Sequence, residues 1–72
     1  MPQEELDDVD RAILEIEART YRFVGTKERR IRERTGLTPT RYFVRLNRLL
    51  ESPAALQHSP AVVNRLRTLR QR

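Results

Sequence analysis

The stretch Thr35–Arg48, "TGLTPTRYFVRLNR", decides how this 72-residue chain is read. Gly36 can close one helix in the left-handed conformation, and Thr38-Pro39 can open the next. The threonine hydroxyl caps the first turn, and proline suits the first helical position, where no N–H is needed. At about 100° per residue, Tyr42, Leu46, Leu49 and Leu50 share one side of the following helix, with Phe43 at its edge. Arg41, Val44, Arg45 and Arg48 fall on the other side, flanked by Thr40 and Asn47. The spacing predicts a two-faced helix over about 39–51, with an apolar side for a core and an arginine side for solvent or a partner.

Similar punctuation divides the rest. Asp7 with Asp10 three residues on reads as a helix start whose acids face the positive end of the helix dipole, and Leu6 is placed for a hydrophobic staple. Val9, Ala12, Ile13, Ile16, Thr20 and Phe23 recur at spacings of three and four, predicting a first helix over about 8–24, ended by Gly25. Thr26 then caps a short second helix, "KERRIRERT", up to Gly36. Ser52-Pro53 and Ser59-Pro60 repeat the Thr38-Pro39 pattern and predict helices over 53–57 and 60–70. In the last, Val62, Leu66 and Leu69 form a short stripe that either packs on the other helices or pairs two copies of the chain. No segment alternates as a strand does. The fold class is all-α: a small bundle of four to five helices containing a helix-turn-helix. One domain spans 1–72, with 1–6 as an acidic arm and 71–72 as a basic end.

The net charge of +5 conceals an asymmetry. Residues 1–17 hold seven acids and one base; residues 18–72 hold fourteen bases and three acids. A basic segment of this density is expected of a protein that meets a polyanion. Thirteen of those fourteen bases are arginine, whose fork suits phosphates and guanine edges; GC-rich coding yields the same bias. With no cysteine, thiolate zinc sites and disulfides are excluded, which fits a reducing, cytoplasmic setting. No apolar run approaches the roughly 18 residues of a membrane span. His58 is the sole histidine and has no second ligand or base near it in sequence, so neither an enzyme, a cofactor, a metal nor a small-molecule substrate is expected. The acids of residues 4–10 read as a helix start rather than a cation site. An acidic arm folding over the arginine surface is a further option. Tyr21 and Phe23 flank Arg22, an arrangement that can stack on bases or simply fill the core.

A glycine-containing turn between a short helix and a polar-faced one is the layout of a helix-turn-helix. The leading part of the second helix, with Thr38, Thr40 and Arg41, can then enter the major groove, where arginine forks onto guanine and a threonine methyl meets thymine. Arg45 and Arg48 lie further along the same face, which Val44 shares. Lys27, Arg29 and Arg30 are the candidate phosphate contacts, and Glu28–Arg32 and Arg29–Glu33 are spaced for i,i+4 pairing.

"IRERTGLTPTRYFVRLNRLL" resembles the helix-turn-helix of sigma factor region 4 and of response-regulator output domains: an apolar residue at Ile31, then apolar–Gly–apolar, a Ser/Thr cap and an arginine-bearing recognition helix. The chain departs from that pattern at Arg32, where a small residue is usual, and at Thr35 and Arg45, where apolar ones are. Over about residues 10–70 it is similar to a family of small actinobacterial proteins of unknown function. The matching residues are Tyr21-Arg22-Phe23, Gly25, Lys27-Glu28, Thr40-Arg41-Tyr42 and Pro53 to Leu56. The resemblance implies a helical, helix-turn-helix-like protein. The expected function is transcription-regulator-like binding of double-stranded DNA, as a monomer or a homodimer. The alternative is an adaptor docking on transcription machinery or another acidic partner through the same arginine face, and RNA association is a third.

Overall fold

Five helices follow one another in the computed structural model, which describes residues 5–70: α1 Asp8–Ala18, α2 Val24–Thr35, α3 Pro39–Leu49, α4 Pro53–His58 and α5 Pro60–Arg70. No strand occurs among the described residues. Residues 1–4, most of the acidic arm, and the basic end 71–72 lie outside the described residues.

The helix starts are built locally. Asp7 and Asp10 form a reciprocal capping box, each carboxylate accepting the other's backbone N–H at 2.7 and 3.2 Å. Thr38 Oγ1 accepts Arg41 N–H at 3.3 Å, and Ser52 Oγ accepts Ala55 N–H at 3.2 Å, each directly before a proline in the first turn. Gly36 closes α2 at φ 71°, ψ 7°, its N–H donating to Arg32 O at 3.0 Å.

The expected long first helix does not form. α1 stops at Ala18, Arg19 is extended, and Gly25 lies inside the first turn of α2, whose N-cap is Phe23 rather than Thr26. Four of the five residues 20–24 (Thr20, Tyr21, Phe23, Val24) are β-branched or aromatic and lose rotamer freedom in a helix. Breaking there lets the chain fold back so that α2 packs on α1. Thr20 and Phe23 consequently lie exposed, while Leu14 and Glu17 take buried places on α1.

α1 is the centre of the bundle, with α2, α3 and α5 packed round it. Ile13, Leu14 and Ile16 meet Ile31 of α2, Tyr42, Leu46 and Leu49 of α3, Leu50, Ala55 of α4 and Val63 of α5. The apolar side expected for α3 is thus the buried one, although Phe43 at its edge is exposed. In α5 Val63 is buried, Val62 and Leu66 are half-buried, and Leu69 stays outside. Leu6 packs against this core from below α1.

One charged group sits inside. Glu17 is 6% exposed and holds three elements together. The Tyr42 hydroxyl donates to Glu17 Oε2 at 2.6 Å, Lys27 Nζ donates to Oε1 at 3.1 Å, and Arg65 Nη2 donates to the Glu17 carbonyl at 2.5 Å. Burial, then the hydrogen bond to Glu17, pushes the Tyr42 phenol well above its ordinary value, so it remains a donor. Among the described residues no helix is long and apolar enough to cross a membrane.

Candidate nucleic-acid interface

α3 is held by its inner side. Tyr42, Leu46 and Leu49 are buried, so the opposite side of the helix is turned outward by packing rather than by preference. Thr40, Arg41, Val44 and Arg48 are all exposed there, Val44 at 52%. Thr38, at the N-cap, is exposed too; its oxygen accepts the Arg41 N–H and its hydroxyl proton remains free to donate. Leu37, Arg41, Val44, Arg45 and Arg48 together line a shallow depression of about 220 Å³. Four of the nine residues singled out from the sequence therefore converge on one concavity.

Among the described residues Arg41 and Arg48 form no ion pair. Arg45 differs. Its Nη2 donates to Asp7 Oδ1 and Oδ2 at 3.2 and 3.1 Å and to Asp10 Oδ1 at 2.9 Å. The Asp10 hydrogen bond, partly opposed by burial and helped by the charges of both acids, raises the Arg45 guanidinium above its ordinary value. The Asp7 carboxyl is held low first by the Asp10 N–H and then by Arg45. The acidic start of α1 thus touches the arginine side of α3 through residues 7 and 10.

The candidate phosphate contacts separate. Arg29 is exposed and Arg30 half-buried, and neither is ion-paired among the described residues. Lys27 is committed to Glu17. Neither expected i,i+4 pair on α2 forms; the cross-helix pair Arg34–Glu15, at 2.9 Å, does. A contact that ties α2 to α1 replaces two that would only decorate α2.

The departures from the usual helix-turn-helix pattern are accommodated individually. Arg32 points to solvent. Thr35 turns its hydroxyl onto the backbone, donating to Ile31 O at 2.6 Å and accepting Leu37 N–H at 3.1 Å, so it stabilises the turn instead of filling a core. Arg45 is balanced by Asp7 and Asp10. Sequence reasoning missed Glu17 as the anchor of α3. The signal was present: Glu17 lies four residues after Ile13, on the apolar side of α1. His58 is exposed with Nδ1 2.9 Å from Ser59 Oγ, and among the described residues no cluster of three His, Cys, Asp or Glu could hold a metal.

Fold and surface together define a small all-α bundle whose central turn joins a basic α2 to an arginine-faced α3. The chain belongs to the family described as "Protein of unknown function (DUF3263)", which matches residues 5–72. No curated protein and no solved structure matches it.

Proposed function

We propose that this chain is a cytoplasmic, non-enzymatic DNA-binding protein of the transcription-regulator kind. In this reading α2–α3 works as the helix-turn-helix of sigma factor region 4, which it resembles, as do the actinobacterial proteins it is similar to. α3 lies in the major groove: Thr38, Thr40 and Arg41 address base edges at its start, and Val44, Arg45 and Arg48 extend the contact. Arg29 and Arg30 hold phosphates, with Lys27 contributing only when it leaves Glu17. The observation that carries the reading is the pair Arg41 and Arg48, unpaired and outward on a helix whose other side is buried.

A second reading has its own support. Arg45 already donates to two carboxylates, those of Asp7 and Asp10, so the same face suits an acidic protein, for example within transcription machinery.

Fluorescence anisotropy against a GC-rich duplex, titrated over salt, separates the two. With Arg29, Arg30 and Arg48 on phosphates, log K should fall against log salt with a slope of about −3. On a selected site Arg41→Ala should lose about 1–3 kcal/mol and relax specificity. No binding at low salt would remove the DNA reading and leave the arginine face to a protein partner.

A further inference from the structure

A second surface lies on the flank of α3 away from its arginines. Between α2 and α3 runs a groove of about 390 Å³ whose walls are Val24, Ile31, Leu37, Pro39 and Phe43. Val24 is 76% and Phe43 53% exposed. Single exposed apolar residues need no explanation, but a contiguous strip lining a concavity marks an interaction site. Phe43 stands about 140–160° round α3 from Arg41, Arg45 and Arg48, so the groove and the arginine face are distinct surfaces that meet only at Leu37. The wall is also rigid. The Phe43 ring packs edge-on against Tyr42, centroids 5.5 Å apart and planes at 83°, and Tyr42 is fully buried and tied to Glu17.

The charges around the groove say what would fill it. α2 and α3 carry eight bases and two acids. Lys27, Arg34 and Arg45 are paired with acids of α1 or its cap, leaving Arg29, Arg30, Arg32, Arg41 and Arg48 against Glu28 and Glu33. Lys27, Glu28 and Arg32 form the charged rim. The first turn of α2 has no acid of its own, so a partner's carboxylate near it would also meet the dipole favourably. No neutral hydrogen-bonding side chain lines the groove, whereas a small-molecule site needs a few placed polar groups to fix its ligand.

We propose that the α2–α3 groove docks an acidic amphipathic helix of a partner protein, its apolar side chains seated between Phe43, Leu37 and Val24 and its carboxylates on Arg32 and the open first turn of α2. Apolar residues at i, i+3, i+4 and i+7 of such a helix match a groove between two helices. The proposal is independent of DNA binding, since it uses neither Arg41 nor Arg48.

The test uses a fluorescein-labelled synthetic helix of about 15 residues with leucine and phenylalanine at those positions and glutamate elsewhere. Anisotropy should report binding, and amide shifts in a ¹⁵N-labelled chain should cluster in α2 and the first half of α3. Phe43→Ser or Val24→Ser should weaken binding about tenfold as interface anchors, and Arg32→Glu by a similar factor. Both apolar positions are exposed, so these variants should melt like the parent, and their duplex binding should be unchanged. The same helix with lysine for glutamate should fail to bind. The proposal is overturned if no binding occurs, if a glutamate helix lacking the apolar residues binds equally, or if Arg41→Ala rather than Phe43→Ser abolishes binding. A dimer by sedimentation that Phe43→Ser dissolves would equally overturn it in favour of a second copy.

Discussion

Tyr42→Phe removes one oxygen from the centre of the bundle and leaves the ring in place. The hydroxyl it deletes donates at 2.6 Å to Glu17, a carboxylate with 6% exposure, and Tyr42 itself is wholly buried. Water cannot readily replace the lost donor, and Lys27 alone then faces the carboxylate. A buried hydrogen bond to a charged group contributes about 1.5–3 kcal/mol. A chain of this size has a total stability of about 4–11 kcal/mol, so the loss is a large share of it. Urea unfolding followed by far-UV circular dichroism at neutral pH should show the midpoint fall with an unchanged m value. The melting temperature should drop by about 6–24 °C. Lys27→Met should be destabilising too, and the double variant should depart from additivity because both donors act on one carboxylate. A loss under about 0.5 kcal/mol for Tyr42→Phe would refute the reasoning, since surface changes have effects of that size. Glu17 would then be hydrated, and α3 would be held by apolar contact alone.

The two glycines should respond with opposite sign. Gly36 has φ 71° in open space, so Gly36→Ala should cost about 1–2 kcal/mol through the backbone alone. Gly25 has no positive φ and no neighbour within 4 Å, so Gly25→Ala should stabilise α2 by about 0.5–1 kcal/mol in the same urea assay. Acid should unfold the protein through three carboxyls. Asp7 is held below its ordinary 3.8, first by the Asp10 N–H, and Glu15 and Glu51 below 4.5, first by hydrogen bonds from Arg34 and Arg70. Because their folded values are the lower ones, their stabilisation is complete above the ordinary values and disappears as pH falls through the folded ones. Unfolding midpoints should therefore be level above about pH 6 and decline below about pH 4.5, less steeply in Arg45→Ala. Midpoints that start to decline above pH 6 would point to some other group. Asp10→Asn keeps an acceptor for the cap but removes one of the two charges that hold Arg45, leaving Asp7 alone on it. Duplex binding should then tighten by about two- to fivefold, the scale of an exposed ion pair, with a salt slope steeper by about one unit. Unchanged binding would take Arg45 out of the interface.

Helix starts and stops were readable because their causes lie within one turn. Asp7 with Asp10, Thr38-Pro39, Ser52-Pro53 and Gly36 each act on N–H or C=O groups at most four residues away. The apolar side of α3 was readable for the same reason, since helical periodicity sorts Tyr42, Leu46 and Leu49 from Arg41, Arg45 and Arg48 without reference to anything else. The break after Ala18 was not. Residues 19–24 keep the spacing of α1, and the gain from folding α2 back onto it appears only once both helices exist.

The candidate interface divides along the same line. That arginines gather on one side of α3 is a property of the sequence, fixed by covalent order and helical pitch. Which of them remain available is tertiary. Arg45 meets Asp7 across 38 residues, Tyr42 meets Glu17 across 25, and Lys27 turns inward to the same carboxylate. The apolar groove beside Phe43 belongs there too: its walls come from two helices, and only their packing brings Val24 and Phe43 to one concavity. The sequence by itself determined five helices and the sign of the charge each presents, because those depend on neighbours along the chain. The tertiary structure decided which charges are already neutralised and which surfaces stay open, because that depends on neighbours in space.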